Sequence, residues 1–217
     1  MSEILPANNE LAIQKALELL QRGDVVVYPT DTIYGLATSI TSKTGIQKIY
    51  RIKSRSREKP LMLHIATFEQ FQNLTRDVPE KTLDRLRKIW PGAMAGIFLK
   101  NDTLVPSYVT SGKETICLRI PDNSLCMELV KRVGHPLAVT SANISGMETP
   151  KTADHIATQL GAHIPLVLDG GPSQHDHAST LIDFTGQNPK LLREGALSIF
   201  HLRTFLPNLE IPQELGP

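Results

Sequence analysis

"ELAIQKALELLQRGDVVVYP", residues 10–29, sets the fold class. Residues 10–22 repeat apolar side chains at helical spacing and stop at Gly23, a residue suited to the left-handed position just past a helix end. The run Val25-Val26-Val27-Tyr28-Pro29 that follows is continuous rather than alternating, the mark of a strand covered on both faces. A helix feeding such a strand is the opening unit of an α/β protein.

The same reading extends along the chain. Further strands are predicted at LMLHIA (61–66), AGIFLK (95–100), TICLRI (115–120), PLAVTS (136–141), PLVLD (165–169), STLIDF (179–184) and KLLR (190–193). Between them, helices are predicted at TFEQFQNL (67–74), EKTLDRLRKIW (80–90), NSLCMELVKRVG (123–134) and TADHIATQLG (152–161). Thr67 and Gln70 stand at capping-box spacing, and Pro91-Gly92, Gly134 and Gly161 supply the stops. No repeat or low-complexity linker interrupts the pattern, so residues 1–203 are expected to form one domain and the Pro-punctuated residues 204–217 a tail.

The chain has 217 residues and a net charge of +1, yet residues 48–59 (KIYRIKSRSREK) carry six cations and one acid. The positive charge is therefore local, and the rest of the chain is net negative. A protein that coats duplex nucleic acid carries a broad basic face instead, so a compact anionic ligand fits this pattern better. Arg51, Lys53, Arg55, Arg57 and Lys59 alternate, and in an extended backbone they project to one side. The helical pattern of Ile46, Ile49 and Tyr50 is expected to end near Lys53 and feed a one-sided cationic loop that closes at Pro60.

Other strand ends carry related chemistry. Thr30, Asp31, Thr32 and Tyr34 follow the buried valine strand, at the sheet end where ligand crevices form; Asp31 equally suits a turn cap. In LMLHIA, Met62, His64 and Ala66 share one face. In TICLRI, Thr115, Cys117 and Arg119 share one face, and a buried Arg119 needs an anion, either a protein carboxylate or a ligand's. Ser141 and Asn143 in TSANISG supply a hydroxyl and an amide, Gly170-Gly171 permit close backbone approach, and Arg193 stands at a strand end. His175 and His177 lie in a polar loop without a matching ligand cluster, so no metal site is expected.

The chain contains no G-x-x-x-x-G-K-[ST], no G-x-G-x-x-G after a strand, no H-E-x-x-H and no G-x-S-x-G. Cys117 and Cys126 have neither disulfide nor zinc-ribbon spacing. The N-terminus has no basic-then-apolar leader, and no apolar stretch approaches a membrane-spanning length, so a soluble cytoplasmic protein is expected.

Taken in order, PTDTIYGLA, KSRSREKPLMLHI, ICLRIPD, TSANISG, STLIDF and LLREGAL resemble the YrdC/TsaC-like threonylcarbamoyl-AMP synthases over about residues 10–200. The resemblance implies a twisted mixed β-sheet flanked by helices around a deep basic cavity, in the short, single-domain form. It implies condensation of L-threonine, bicarbonate and ATP, with Mg²⁺ carried by ATP, into threonylcarbamoyl-AMP and pyrophosphate. Partner proteins then pass the threonylcarbamoyl group to tRNA adenosine 37, with a weak contact to tRNA or other RNA conceivable and no membrane involved. Of the family pattern K-x-R-P-x-x-N-P-L-x-x-H this chain supplies Lys53, Arg55, Pro60, Leu61 and His64, and departs at Ser56 and Lys59.

By the same resemblance, Lys53 and Arg55 are the expected catalytic cations. Thr32, His64, Arg119 and Ser141 would contact L-threonine, and Arg55, Lys59, Thr115, Asn143 and Arg193 would hold ATP or the carbonate-derived group. Tyr34 matches the family's tyrosine. Two competing readings use the same features: a double-stranded RNA or tRNA-binding module without turnover, and a carbamoyl-transfer domain that uses carbamoyl-adenylate.

Overall fold

The N-terminal helix forms where the sequence places it, because Asn9 accepts hydrogen bonds from Leu11 N and Ala12 N and so satisfies amides that have no intrahelical partner. Its six buried side chains, Ala12, Ile13, Ala16, Leu17, Leu19 and Leu20, lie on one face. Each large one contributes about 1.5–3 kcal/mol on burial. The computed structural model describes residues 2–213.

In chain order the elements are β1 (Glu3–Pro6), α1 (Glu10–Gln21), β2 (Val26–Tyr28), β3 (Gly35–Ser39), α2 (Lys43–Ile52), β4 (Met62–His64), α3 (Phe68–Leu74), α4 (Glu80–Ile89) and β5 (Met94–Leu99). They continue with α5 (Ser107–Thr110), β6 (Thr115–Arg119), α6 (Ser124–Val133), β7 (Leu137–Ser141), α7 (Ala153–Leu160), β8 (Leu166–Asp169), β9 (Thr180–Asp183), β10 (Lys190–Arg193) and α8 (Ile199–Phe205).

The strands form a ten-stranded sheet in the order β1-β8-β2-β3-β7-β4-β6-β5-β9-β10. The β1–β8, β2–β8, β4–β6 and β5–β9 pairs are parallel and the others antiparallel. This is the mixed α/β fold expected from the sequence. Apolar side chains alternate across the strands, so Val25 and Val27 enter one core with Leu36, Leu63, Leu118, Phe98 and Ile182, while Val26 and Tyr28 enter another. α1 and α6 cover this second core over β8, β2, β3 and β7.

The expected boundary at residue 203 falls inside α8, which runs to Phe205. Leu206 and Leu209 are buried, and Leu191 N donates to Glu210 O at 2.8 Å, so this segment packs against β10 and the core. Residues 214–217 of the expected tail lie outside the described residues.

Candidate active site

Strand alternation builds the site. On β4, β6, β5 and β9 the residues that face away from the larger core are Met62 and His64, Cys117 and Arg119, Ala95 and Ile97, and Leu181 with Ser179 just before it. Together with Thr30, Thr32, Gly35, Val139 and Ser141 from the β2–β3 turn and β7, they line a cavity of about 420 Å³. Gly35 is required there, since a Cβ would sit 2.9 Å from Val139 Cγ1 on the paired strand. Five cations, Arg55, Lys59, Lys113, Arg119 and Arg193, and one carboxylate, Glu58, reach this cavity.

Arg119 is only 1% exposed and is held on three sides. Its Nη2 donates to Asp31 Oδ2 at 2.5 Å, Nη1 to Thr32 Oγ1 at 3.0 Å and Ser179 Oγ at 2.6 Å, and Nε to Gly92 O at 2.8 Å. The anion that Arg119 needs is therefore Asp31, which sequence reading had left between a turn cap and the site. Asp31 Oδ1 is buried with no hydrogen-bond partner among the described residues. Burial lowers the Arg119 pKa, and Asp31 opposes that shift.

His64 is 1% exposed, with Nδ1 3.1 Å from the Tyr28 hydroxyl and Nε2 buried with no partner among the described residues. Burial first, and the Arg119 charge second, hold the imidazole well below its ordinary pKa, so it is neutral at neutral pH. The unfolded chain then binds a proton that the folded one refuses, and stability falls as pH drops below about 6.5, by at most about 1.4 kcal/mol per pH unit. Urea midpoints of the wild type and His64→Gln, compared between roughly pH 5 and 7, are expected to diverge on the acid side. Parallel curves would contradict a neutral His64.

The cationic stretch departs from its expected form. α2 ends at Ile52 with Lys53 as its cap, and Ser54 then takes a left-handed backbone at φ 49°, so residues 54–59 turn instead of extending. Alternation without extension gives no one-sided ladder: Arg51 and Arg57 are exposed outside the cavity, whereas Arg55 and Lys59 line it. Arg55 donates from Nε to Lys59 O at 3.2 Å and from Nη2 to Pro60 O at 3.0 Å, which fixes the guanidinium at the rim. Burial lowers its pKa.

Lys53, one of the two expected catalytic cations, stands behind the wall and does not line the cavity. Its Nζ donates to Ser141 O at 2.5 Å, Asn143 O at 2.5 Å and Asn143 Oδ1 at 3.0 Å, which uses all three N–H groups of an ammonium. Burial, with Arg55 second, pulls its pKa down to about 7, while three oxygen acceptors favour keeping the proton. In this arrangement Lys53 ties α2 to the loop after β7. Lys53→Met would take a donor from three oxygens, of which Ser141 O keeps Asn143 N and Asn143 Oδ1 keeps Ser141 Oγ, and is expected to cost about 1–3 kcal/mol, read as a fall in Tm of roughly 3–10 °C. An unchanged Tm would show that the tie carries no stability.

Ser141 lines the cavity and its hydroxyl donates to Asn143 Oδ1 at 2.6 Å. Asn143 is 92% covered and spent on Lys53 and Met147 O, so like Lys53 it supports the wall from behind. Thr115 is half-buried at the far end of β6 and lies outside the cavity lining. Arg193 reaches the cavity and donates to Ser179 O at 2.8 Å. The Tyr34 hydroxyl donates to Gly171 O at 2.7 Å and accepts from Gly170 N at 3.1 Å, closing the wall against the Gly170-Gly171 loop.

Sequence reasoning assigned no role to Lys113, Ser179, Glu58 or Tyr28. Lys113 stands two residues before the predicted strand at 115–120 and Ser179 opens the one at 179–184, which was the available signal. Among the described residues no group of three or more His, Cys, Asp or Glu side chains comes together to hold a metal ion. The cavity's polar chemistry instead suits anions, including a nucleotide that brings its own cation.

The protein is a mixed α/β protein in which one face of the sheet gathers arginines and lysines around hydroxyl groups, a chemistry suited to anions. The chain belongs to the Sua5/YciO/YrdC family, described as telomere recombination, which residues 18–195 match. The Bacillus subtilis protein named threonylcarbamoyl-AMP synthase is 38% identical over 97% of this chain and 61% of its own length. The crystal structure of Pyrococcus abyssi Sua5 complexed with L-threonine matches with a TM-score of 0.92 at 31% identity, covering 97% of this chain and 63% of that one. Escherichia coli YciO matches with a TM-score of 0.84 at 26% identity, covering 93% and 100%. This chain thus spans about three fifths of the length of the B. subtilis and P. abyssi proteins. Among the described residues no helix is long and apolar enough to cross a membrane.

Proposed function

We propose that this chain condenses L-threonine, bicarbonate and ATP into L-threonylcarbamoyladenylate and pyrophosphate, a nucleotidyltransferase step that supplies threonylcarbamoyl-transfer proteins acting on tRNA. The observation that carries this reading is the convergence of Arg55, Lys59, Lys113, Arg119 and Arg193, with Glu58 as the one lining carboxylate, on a single cavity. The name of the B. subtilis relative and the L-threonine bound by the P. abyssi relative support the choice of substrates. Cations turned inward to a cavity do not favour a duplex-RNA module, which needs them spread over a face.

The reaction must hold a triphosphate, a bicarbonate and a carboxylate together, and their mutual repulsion amounts to several kcal/mol at the effective dielectric of a cleft. In this reading, Thr32, His64, Arg119 and Ser141 surround threonine, and Arg55, Lys59 and Arg193, joined by Lys113, face the phosphates. The uncharged amine nitrogen bonds to the carbon of carbon dioxide, losing a proton to solvent, or to that of bicarbonate, with a C–O bond breaking and water leaving; either gives a carbamate. A carbamate oxygen then bonds to the α-phosphorus as the bond to pyrophosphate breaks. Mg²⁺ carried on the phosphates supplies further positive charge to the leaving group. No strong general base stands among the lining residues, so rate comes from alignment and fixed charge.

Incubation with ATP, Mg²⁺ and ¹⁴C-bicarbonate, with each amino acid in turn, tests the reading. Pyrophosphate release that depends on threonine, with radiolabel retained in a nucleotide product, is the expected result. Release with no amino acid preference, or none under any salt condition, would refute it.

A further inference from the structure

The cavity holds one polar atom whose chemical state the surrounding core decides. His64 Nε2 is buried and has no partner among the described residues, on a side chain 1% exposed that lines the cavity. The opposite ring nitrogen, Nδ1, meets the Tyr28 hydroxyl at 3.1 Å. Tyr28 comes from β2, is 0% exposed, and is packed among the side chains of α1 and α6. Among the described residues, His64 Nδ1 is the sole hydrogen-bond partner of that hydroxyl.

Two proton arrangements fit a neutral ring. In the first, the phenol O–H donates to Nδ1, and the ring proton sits on Nε2. In the second, Nδ1–H donates to the phenol oxygen. The phenol proton, sealed in an apolar core, is then without an acceptor, and Nε2 is a bare lone pair. Each arrangement leaves one donor unmet in the protein, Nε2–H in the first and the phenol O–H in the second, but the second also strands the Nε2 lone pair, and His64, unlike Tyr28, lines the cavity where a ligand can meet its free donor, so the first arrangement is favoured. The neutral phenol that it requires is what burial enforces, since the Tyr28 pKa is raised well above its ordinary value.

We infer that Tyr28 is a positioning residue that fixes His64 in its Nε2–H tautomer, so that His64 presents one aimed N–H donor to a ligand oxygen. The consequence is chemical selectivity. With the Arg119 guanidinium and the Thr32 and Ser179 hydroxyls grouped nearby, this part of the cavity accepts a carboxylate or hydroxyl oxygen and rejects an ammonium. The tautomer itself stands on the protein's geometry alone; only the identity of the ligand rests on the proposed function. The second arrangement would instead offer Nε2 as an acceptor and suit the amine.

Nitrogen NMR of the ¹⁵N-histidine-labelled protein reads the tautomer without any substrate. A protonated-type shift at Nε2 and an unprotonated-type shift at Nδ1 of His64 are expected in the wild type, with the two moving toward a mixture in Tyr28→Phe. Phenylalanine fills the same core volume, and near-ultraviolet circular dichroism checks that the fold persists. L-threonine titrated by calorimetry is expected to bind Tyr28→Phe roughly tenfold more weakly. In a His64→Gln background, whose amide supplies a donor near the Nε2 position, the same Tyr28 change should matter less than about twofold. A wild-type Nδ1–H signal, or a Tyr28→Phe protein with unaltered ring shifts, would overturn the inference. Wild-type protein with the Nε2–H signal but no threonine binding would support the tautomer and defeat the proposed substrate, so the two failures are distinguishable.

Discussion

Arg119→Met is expected to lower stability by about 3–5 kcal/mol and to abolish threonine binding. The change deletes the partner of the Asp31 carboxylate, whose Oδ1 already lacks one, and strips a donor from Thr32, Ser179 and Gly92 O. The loss comes mainly from stranding a charge and several acceptors in a covered site rather than from the attraction of the pair. Adding Asp31→Asn to Arg119→Met removes the stranded charge, so the double variant should recover about half of the loss in a urea titration. It should not recover threonine binding. If the double variant were as unstable as the single one, the ion pair would not be the source of the effect. Full threonine affinity in either would remove Arg119 from the site.

The second large effect belongs to Arg55. Two of its five N–H groups hold Lys59 O and Pro60 O, and the Tyr50 side chain lies beside the guanidinium. A guanidinium pinned by backbone carbonyls, with its remaining donors at a cavity rim, is preorganised to meet charge that develops on phosphate oxygens. Arg55→Ala is expected to cut turnover about 100-fold or more with a small change in Tm. Lys43→Ala provides the comparison, because Lys43 lines a separate groove with Tyr50, Arg57 and Tyr108. It should leave turnover within about twofold. Equal losses in the two variants would mean that the reaction does not take place in this cavity.

The elements with strong local signals were legible in the sequence. The apolar runs at 61–66, 95–100, 115–120, 136–141, 165–169, 179–184 and 190–193 all contain strands, and the face assignments of His64 and Arg119 follow from the two-residue period of a strand. β3 was not legible. Gly35–Ser39 is small and hydroxyl-rich with no alternation, and it is a strand because β2 and β7 pair on either side of it. β1 was missed for a similar reason, since its partner β8 lies more than 150 residues along the chain. α8 was missed although its signals were present: Ser198 caps it by accepting from His201 N, and Ile199, Leu202 and Leu206 repeat at helical spacing.

The candidate site was legible as chemistry but less so as geometry. Seven of the expected residues, Thr32, Arg55, Lys59, His64, Arg119, Ser141 and Arg193, do line one cavity. Lys53 and Asn143 instead bind each other behind it: Lys53 is the cap of α2, still on helical backbone, and the left-handed turn at Ser54 follows it. No count of alternating cations could disclose that turn. The choice of Asp31 over a ligand as the Arg119 partner depends on a contact between residues 88 apart in sequence, which strand periodicity does not encode.

The central claim is that cations distant in sequence act together on anions in one cavity. A crystal structure of the protein soaked with L-threonine and a non-hydrolysable ATP analogue tests it most directly. The expected density places the analogue's phosphates against Arg55, Lys59 and Arg193 and the amino acid beside His64 and Arg119 in the same cavity. Density for either ligand at a different surface, with these side chains left unengaged, would contradict it.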